Sequence, residues 1–305
     1  LMVDQSEVQL FPIEQELHRS GYQGQALPLI GDVLDEARMR YLMARFKPDL
    51  VFHAAAHKHV PMMESQPGEA LKNNTLATAR LAHLALEHRV ERFLLISTDK
   101  AINPTSVMGA SKRLAEMYLQ ALAAAQRDGA TRFVAVRFGN VLGSSGSVIP
   151  TFTRQIAEGG PVTVTHPEVT RYFMTIPEAV GLVLQAAFMG QGGEIFVLDM
   201  GRPVKIVDLA RQLIELHGLR PDEDIEIRFT GLRPGEKLFE ELSHHRENHA
   251  PTAHPKVMRF VSEPVPLDRL QAAFAALEQQ LHTLERNQLK LRIKELVPEY
   301  EPYLA

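Results

Sequence analysis

Short apolar runs alternate with amphipathic stretches up to about residue 200 of the chain. The runs that read as strands buried on both faces are 26–30, 50–54, 92–97, 133–138 and 194–198. The stretches with helical periodicity are about 6–20, 35–47, 64–88, 105–127 and 176–190. This alternation predicts an α/β fold built on a doubly wound parallel sheet, with ligands at the carboxyl ends of the strands.

The pattern loosens after residue 140. A strand-like segment at 161–167, a helical stretch at 206–217 and a strand candidate at 225–229 predict a smaller mixed α/β region packed on the sheet. Leucines at three- and four-residue spacing over 263–291 predict a helix that docks on the domain or forms a dimer.

The composition excludes some classes of protein. The chain has 305 residues and no cysteine, which rules out a disulfide framework and a thiol nucleophile. The net charge of −4 gives no electrostatic case for nucleic acid, and the longest apolar stretch, 179–189, is too short to span a bilayer. No metal site is predicted, because no carboxylate stands at ligand spacing from the clustered His244, His245, His249 and His254.

A dinucleotide-binding sheet normally opens with a strand, a GxGxxG loop and a helix, and this motif does not occur here. The chain begins with three apolar residues followed by Asp4. This matches the end of the second strand of such a fold, where an acidic residue binds the adenosine ribose. Taken alone, Asp4 is better explained as a helix N-cap. We expect the first strand, loop and helix to lie upstream of residue 1 or to be absent. The glycine-rich segment 139–146 has the wrong spacing for a phosphate loop and is interpreted as a substrate loop.

Two polar segments carry the candidate chemistry. Ser97, Thr98, Asp99 and Lys100 follow a buried strand candidate, and Met108 and Lys112 share one face at the start of a helix. Each segment alone has an ordinary explanation, namely helix capping for the first and a solvated charge for Lys112.

Together these segments resemble the extended short-chain dehydrogenase/reductases, and within them the CapD-type nucleotide-sugar 4,6-dehydratases of polysaccharide biosynthesis. The resemblance runs from residue 1 to about residue 262. It rests on an ordered set of motifs: HAAAHK at 53–58, NTLAT at 74–78, ISTDKA at 96–101, MGASKR at 108–113, RFGNV at 137–141, GSVIP at 146–150, TRYFM at 170–174 and RPGEK at 233–237.

The resemblance implies a division of the chain. A Rossmann-like dinucleotide-binding domain, without its first strand and glycine loop, is expected at 1–139 and 176–200. A nucleotide-sugar-binding region is expected at 140–175 and 201–262, and a C-terminal helical segment at 263–305.

Met108 departs from the YxxxK motif of the superfamily, which has a tyrosine at this position. A thioether has no proton to exchange, so Met108 cannot remove the proton of the sugar's C4 hydroxyl. The membrane-anchored branch of the family also has Met here, and the resemblance implies that branch. It therefore implies an upstream region in the inner membrane, a soluble catalytic part on the cytoplasmic side, and a possible homo-oligomer.

The resemblance implies tightly held NAD and UDP-N-acetylglucosamine as substrate. Oxidation at C4 makes the C5 proton acidic, so that a base can remove it while an acid assists the loss of the C6 hydroxyl; the hydride then returns to C6. The family roles fall on Asp99 as acid, Lys100 as base, Thr98 at the C4 oxygen and Lys112 at the nicotinamide ribose. Burial should move the pKa values of Asp99 and Lys100 toward neutrality, with the turn keeping the two groups apart. The acceptor of the C4 hydroxyl proton stays open between Lys100, Asp99 and a water.

The resemblance also assigns binding residues. Those expected at the cofactor are Asp4, Asp32, Val33, Ala54, Ala55, Ala56, Lys58, Asn74 and Lys112. Those expected at the nucleotide sugar are Asn140, Arg171, Arg233 and Glu236. Asp4 favours NAD over NADP because an acid repels a 2′-phosphate, and the two arginines suit a pyrophosphate.

Three alternatives stay open. A nucleotide-sugar 4-epimerase shares the fold, the cofactor and the first oxidation, but it needs no acid and base for elimination, so Asp99 and Lys100 argue against it. A catalytically silent NAD or nucleotide-sugar sensor would explain Met108 and the missing glycine loop. A structural module of a membrane complex is the third.

Overall fold

Strands and helices alternate along the chain as the hydrophobic pattern predicts. The computed structural model describes residues 1–22, 24–126, 130–144, 146–241 and 248–304. The strands are β1 Met2–Asp4, β2 Pro28–Ile30, β3 Leu50–His53, β4 Arg92–Ile96, β5 Arg132–Arg137, β6 Asn140–Val141, β7 Val162–Val164, β8 Thr170–Arg171, β9 Phe173–Met174, β10 Glu194–Leu198, β11 Val204–Lys205, β12 Ile227–Phe229, β13 Asn248–Pro251 and β14 Val257–Val261. The helices are α1 Glu7–Arg19, α2 Glu36–Phe46, α3 Val60–Ser65, α4 Pro67–Ala70, α5 Ala77–Glu87, α6 Val107–Ala125, α7 Val148–Ala157, α8 Ile176–Met189, α9 Ile206–Leu216, α10 Leu267–Gln280 and α11 Arg286–Leu296.

The main sheet has six strands in the order β13-β14-β10-β5-β4-β3. β3, β4, β5 and β10 pair in parallel, whereas β14 and β13 extend one edge in antiparallel pairing. The central strands β4 and β5 are buried on both faces, as Phe93 and Phe133 illustrate. The predicted α/β fold class is thereby confirmed. β13 and β14 are formed by residues 248–261, which the sequence analysis assigns to the nucleotide-sugar-binding region, although both strands belong to the main sheet.

A separate parallel pair, β1 with β2, lies beside the main sheet. A cavity of about 400 Å³ separates this pair from β3, with Val3 on one side and Leu50 and Phe52 on the other. An additional strand that joined the two sheets would have to run through this cavity, because adjacent strands lie about 4.8 Å apart. The upstream strand expected from the sequence stays a prediction.

Helices cover both faces of the main sheet. On one face, α2, α5, α6, α10 and α11 form the largest apolar cluster with Phe93 and Phe133. On the other face, α8 packs on Val134 and Val136 of β5. A third cluster joins α7 and α9 to β7 and β12, so that the smaller α/β region has its own core. The alternation of side chains along β5 explains how one strand serves two cores.

Two helices predicted as continuous are broken. The stretch 64–88 consists of the end of α3, then α4, a π-helical segment over Leu71–Leu76, and α5. Pro67 forces the first break because it has no N–H to continue the helical ladder. The stretch 263–291 is divided between α10 and α11, and Glu285 caps the start of α11 in a capping box. No helix in the described ranges has the length and apolar content needed to cross a membrane.

The C-terminal helices dock on α6, which is one of the two arrangements expected. The ring of Phe274 in α10 stacks on Tyr118 of α6 at a centroid distance of 5.0 Å. Lys290 of α11 forms a buried ion pair of 2.6 Å with Glu64, whose other oxygen accepts the backbone N–H of Val107. The start of α6 is therefore fixed from the C-terminal side.

Candidate active site

Polar residues follow β4 at the carboxyl edge of the main sheet, where a parallel α/β fold places its ligands. A 3₁₀ turn over Asp99–Ala101 begins after Thr98, whose Oγ accepts the N–H of Lys100 at 3.3 Å. The backbone N–H of Asp99 donates to the carbonyl of Phe138 at 3.1 Å, which ties the turn to the end of β5. The backbone of the predicted acid and base is therefore anchored on both sides.

Two glycines allow the surrounding elements to approach this turn. A Cβ at Gly109 would lie 2.1 Å from the carbonyl oxygen of Lys100, which is backbone and cannot rotate away. A Cβ at Gly139 would lie 2.8 Å from Oδ2 of Asp99. These glycines are needed for close approach, since neither has a positive φ angle.

Lys100 contacts two carboxylates. Its Nζ lies 3.1 Å from Oδ1 of Asp99 and 2.6 Å from Oε1 of Glu240. The expectation that the turn separates Asp99 from Lys100 is wrong. The side chains of both carboxylates are almost fully buried, and a buried charge that found no partner would carry a large desolvation penalty.

The ionisation of this cluster also differs from the expectation. Burial acts to raise the pKa of Asp99, but the Lys100 ammonium and hydrogen bonds outweigh it and the pKa is lowered. Burial acts to lower the pKa of Lys100, yet the carboxylates of Asp99 and Glu240 raise it above its ordinary value. The prediction that both pKa values move toward neutrality is therefore wrong, because ion pairing exceeds desolvation. Burial raises the pKa of Glu240 to about 7, and the nearby Asp99 carboxylate adds to this effect.

Glu240 is the site residue that the sequence did not reveal. It lies shortly after the RPGEK motif, and the segment is held by a bond from the N–H of Thr170 to the carbonyl of Leu238 at 3.1 Å. Its Oε2 accepts from Nδ2 of Asn140 at 3.2 Å, and Nε of Arg171 lies 3.2 Å from its Oε1. Its position after a recognised motif was the available signal, but the sequence does not show which of the adjacent Glu240 and Glu241 faces the site.

The residues predicted to bind the nucleotide sugar come together around this cluster. A cavity of about 180 Å³ is lined by Lys100, Arg171, Arg233, Glu236 and Glu240, among others. An adjacent cavity of about 320 Å³ is lined by Asn140 together with Arg171, Arg233 and Glu236. The Arg171 guanidinium also pairs with Glu236 at 3.0 Å. Two guanidinium groups thus face space beside the acid–base cluster, as binding of a pyrophosphate would require.

Most of the predicted cofactor residues line two further hollows. Asp4, Asp32, Val33, Ala55 and Ala56 line a cavity of about 130 Å³, and Ala54 lines the cavity between β1 and β3. The Asp4 carboxylate accepts the N–H of Ser6 at 2.8 Å. The N-cap of α1 is Ser6, so the explanation of Asp4 as the helix N-cap is wrong.

Lys58 and Asn74 lie differently from the other predicted cofactor residues. Lys58 is exposed and lines neither of the two hollows. Asn74 is fully buried, and its amide is engaged with the backbone of His57 at 2.8 and 3.0 Å and with Ser111 at 3.0 Å. Asn74 therefore positions the loop after β3 in this structure and does not face a cavity.

Lys112 and Met108 are both buried at the start of α6. The Lys112 ammonium donates to the carbonyl of Ile96 at 2.8 Å, and burial lowers its pKa to about 8. The Met108 side chain is 4% exposed and packs in the main apolar cluster. Met108 thus contributes packing, in keeping with its inability to exchange a proton.

We expect Met108→Leu to preserve activity within a few-fold, because the swap keeps volume and removes no proton donor. The stability loss should stay below about 1.5 kcal/mol. Met108→Ala should lower the free energy of unfolding further, by about 2–5 kcal/mol because of the cavity it leaves, while folded molecules stay active. Turnover per folded protein, with denaturant unfolding alongside, measures both effects. Loss of turnover in a well-folded Met108→Leu protein would contradict this role.

A buried ion pair between Glu116 and Arg137 stabilises the segment that carries the candidate site. Glu116 of α6 and Arg137 of β5 are fully buried and lie 2.7 Å apart. Glu116 also accepts the Nε of Arg137 at 2.8 Å and the hydroxyl of Ser97 at 2.6 Å. The Arg137 guanidinium lies 4.7 Å from the ring centroid of Phe260 in β14. This network connects the residue after β4 to α6 and β5, and thereby fixes the start of the Thr98–Lys100 segment.

No group of three or more His, Asp or Glu side chains with metal-binding geometry occurs in the part of the chain that the structure describes. His244 and His245 of the histidine cluster lie outside that part.

A mostly parallel sheet, helices on both faces and a polar cluster at the carboxyl edge define a Rossmann-like protein of the short-chain dehydrogenase/reductase type. The chain belongs to the polysaccharide biosynthesis protein family, whose sequence profile matches residues 1–262. The family resemblance drawn from the motifs is confirmed.

The sequence is similar to curated proteins that include a capsular polysaccharide biosynthesis protein and a UDP-glucose 4-epimerase. It is 56% identical over 260 residues to the capsular polysaccharide biosynthesis protein CapD of Staphylococcus aureus, covering 85% of this chain and 43% of CapD. It is 41% identical over 195 residues to a UDP-glucose 4-epimerase of Rickettsia prowazekii, covering 64% of this chain and 55% of the epimerase. The chain therefore spans less than half the length of CapD.

Solved structures share the fold. Pen from Bacillus thuringiensis superposes with a TM-score of 0.77 at 34% identity, covering 86% of this chain and 79% of Pen. A double mutant of DesIV, a dTDP-glucose 4,6-dehydratase from Streptomyces venezuelae solved with NAD bound, superposes with a TM-score of 0.65. DesIV is 18% identical, with coverage of 75% of this chain and 74% of DesIV, and this likeness concerns the fold alone.

Proposed function

We propose that the chain is the catalytic part of an NAD-dependent nucleotide-sugar 4,6-dehydratase acting on UDP-N-acetylglucosamine. The observation that carries the proposal is the buried cluster of Asp99, Lys100 and Glu240. Lys100 and Glu240 of this cluster line a cavity together with Arg171 and Arg233. Elimination of water needs a base and an acid beside the sugar, and the arginines suit the pyrophosphate. Membership of the polysaccharide biosynthesis family supports the substrate class.

The residues around β1 and β3 fit the cofactor. Asp4 suits a ribose hydroxyl, and the short side chains of Val33, Ala55 and Ala56 leave a hollow beside it. When bound, NAD accepts a hydride from C4 of the sugar and returns it to C6. Lys112 would reach the nicotinamide ribose by giving up its bond to the carbonyl of Ile96.

The protons of the proposed reaction balance within the site. The hydroxyl of Thr98 donates to Oδ1 of Asp99 at 3.0 Å, which offers a path from the C4 hydroxyl to the Asp99 carboxylate. Asp99, once protonated, gives that proton to the C6 hydroxyl, which leaves as water. Lys100 removes the C5 proton and, after the hydride reaches C6, gives C5 a proton from its amine, whose hydrogens exchange with solvent. The path needs no proton from Met108.

A UDP-sugar 4-epimerase is the second candidate, and the similarity to the Rickettsia enzyme favours it. Epimerisation requires the hydride to return to the opposite face of C4 and involves no proton transfer at C5. Lys100, the proposed base beside Asp99 after β4, would then have no C5 proton to remove, and so we favour dehydration.

The test is proton NMR of UDP-N-acetylglucosamine incubated with the full-length protein and NAD in deuterated water. We expect the C6 hydroxymethyl signals to disappear, a C6 methyl signal to appear, and deuterium to enter at C5. Heat-denatured protein is the control. A change of configuration at C4 with the hydroxymethyl group intact would identify an epimerase, and an unchanged spectrum would indicate a silent sensor or a structural module; either result contradicts the proposal. Upstream membrane anchoring and oligomerisation stay predictions from the resemblance.

A further inference from the structure

We propose that Glu240 is the internal proton acceptor that converts Lys100 from an ammonium ion into an amine able to remove the C5 proton. The inference rests on the proposed function and deepens it, because it assigns a positioning and proton-holding role to a residue outside the family motifs quoted above. The need arises from the structure, which shows Lys100 paired with two carboxylates and therefore protonated.

The geometry gives Glu240 direct access to that proton. Its Oε1 lies 2.6 Å from Nζ of Lys100, and its side chain is 3% exposed. Asn140 and Arg171 hold its two oxygens, so the carboxylate cannot swing toward solvent without breaking both contacts. It lines the same cavity as Lys100, so the acceptor and the base both border the proposed substrate space.

Charged groups face Glu240 from each element around it. These are Asp99 and Lys100 after β4, Arg171 in β8, and Lys237 in its own segment. The buried carboxyl of Glu240, with its pKa raised to about 7, can hold a proton at physiological pH, whereas an ordinary glutamate would lose it. Asp99 is not the equivalent acceptor, because its pKa is lowered and the proposed path gives it the C4 hydroxyl proton.

Protonation of Asp99 by the C4 hydroxyl proton leaves Glu240 as the carboxylate that is still ion-paired with Lys100. The bound sugar excludes water, and a buried ion pair that loses solvation can neutralise itself by moving a proton. The N–H bond of Lys100 breaks and the O–H bond of Glu240 forms. The amine lone pair then binds the C5 proton, the C5–H electrons form the C5–C6 double bond, and the C6 hydroxyl leaves with the Asp99 proton.

The resting state returns by the reverse transfers. Lys100 gives its proton back to C5 as the hydride adds to C6, and Glu240 then returns its proton to the amine. No oxidant, reductant or proton beyond those of the substrate and the proposed cofactor is consumed.

The test compares Glu240→Gln with Glu241→Gln in the full-length protein. Glu241 is the adjacent glutamate, contacts Asn103, and lies outside the cavity of the acid–base cluster, so it provides a matched control. We expect Glu240→Gln to lower the rate of C6 methyl formation by roughly 10²-fold or more, since the amide cannot accept a proton. Glu241→Gln should retain the wild-type rate. Equal rates in the two variants would overturn the inference.

Two further readouts separate proton transfer from a merely structural role. In the wild type, kcat/KM should fall as the pH drops below about 7, because Glu240 that is already protonated in the free enzyme cannot accept a second proton. This decrease at low pH should be absent from the pH profile of the residual activity of Glu240→Gln. Infrared difference spectra of wild type against Glu240→Gln, taken without substrate, should show a protonated carboxyl that titrates near the same pH. The proposal is contradicted if Glu240→Gln keeps the decrease in activity at low pH, or if the carboxyl titrates near the ordinary value of a glutamate.

A second variant, Glu240→Asp, tests the role of the carboxylate even where Glu240→Gln fails to fold. The shorter carboxylate can still accept a proton, so we expect it to recover more activity than Glu240→Gln. Equal loss in both well-folded variants would contradict proton acceptance. Failure of the proposed function is distinguishable, because wild type and Glu241→Gln would then form no methyl product at all.

Discussion

Lys100→Ala is expected to lower dehydration by roughly 10²–10⁴-fold while nucleotide-sugar binding survives, because the variant removes the base but leaves both arginines of the cavity in place. Without the ammonium, the pKa of Asp99 should rise, since Lys100 is the charge that lowers it against burial. The measurements are C6 methyl formation by NMR and calorimetric titration with UDP-N-acetylglucosamine.

Lys256→Ala is the matched control, since this lysine is exposed on the surface and pairs with Glu178. It should leave both turnover and binding unchanged. Asp99→Asn should show the same separation of turnover from binding as Lys100→Ala, because an amide neither accepts the C4 hydroxyl proton nor assists the C6 hydroxyl. Full turnover in either site variant would refute the assignment of acid and base.

Arg137→Leu should destabilise the fold by about 3–5 kcal/mol, which is the usual cost when one partner of a buried ion pair is removed. The Glu116 carboxylate would stay fully buried, with its main counter-charge lost and only Arg113 and Ser97 in contact. Denaturant unfolding followed by circular dichroism gives the free energy of unfolding directly.

The exposed pair of Arg228 and Glu226 supplies the comparison. Arg228→Leu should change the free energy of unfolding by at most about 1 kcal/mol, as exposed pairs do. The double variant Glu116→Gln with Arg137→Leu should recover part of the loss, because the uncompensated carboxylate is gone. A loss below about 1 kcal/mol in Arg137→Leu would mean that Glu116 finds another partner or takes a proton.

Much of the fold could be predicted because its signal is local. The apolar runs at β4, β5 and β10 identify buried strands, and the order of strands and helices identifies a parallel sheet. The break at Pro67 carries a local signal as well, although the periodicity around it suggested one continuous helix.

The candidate site was predictable only in part. The resemblance assigned Lys100, Arg171 and Arg233 to one site, and in the structure these three residues line one cavity. They could not show that Lys100 turns back onto Asp99, because that contact depends on side-chain rotamers in a 3₁₀ turn. Glu240 meets Lys100 from far along the chain, and nothing in its own neighbourhood encodes that contact.

The docked C-terminal helices determine where the folded unit that contains the candidate site ends. The family match ends at residue 262, yet α10 and α11 begin after it and cover one side of α6. A protein ending at that boundary would uncover the ring of Tyr118 and deprive Glu64 of its ion pair with Lys290. The smallest unit able to hold the Thr98–Lys100 turn in place therefore extends past the evolutionary boundary of the family, to at least the end of α11.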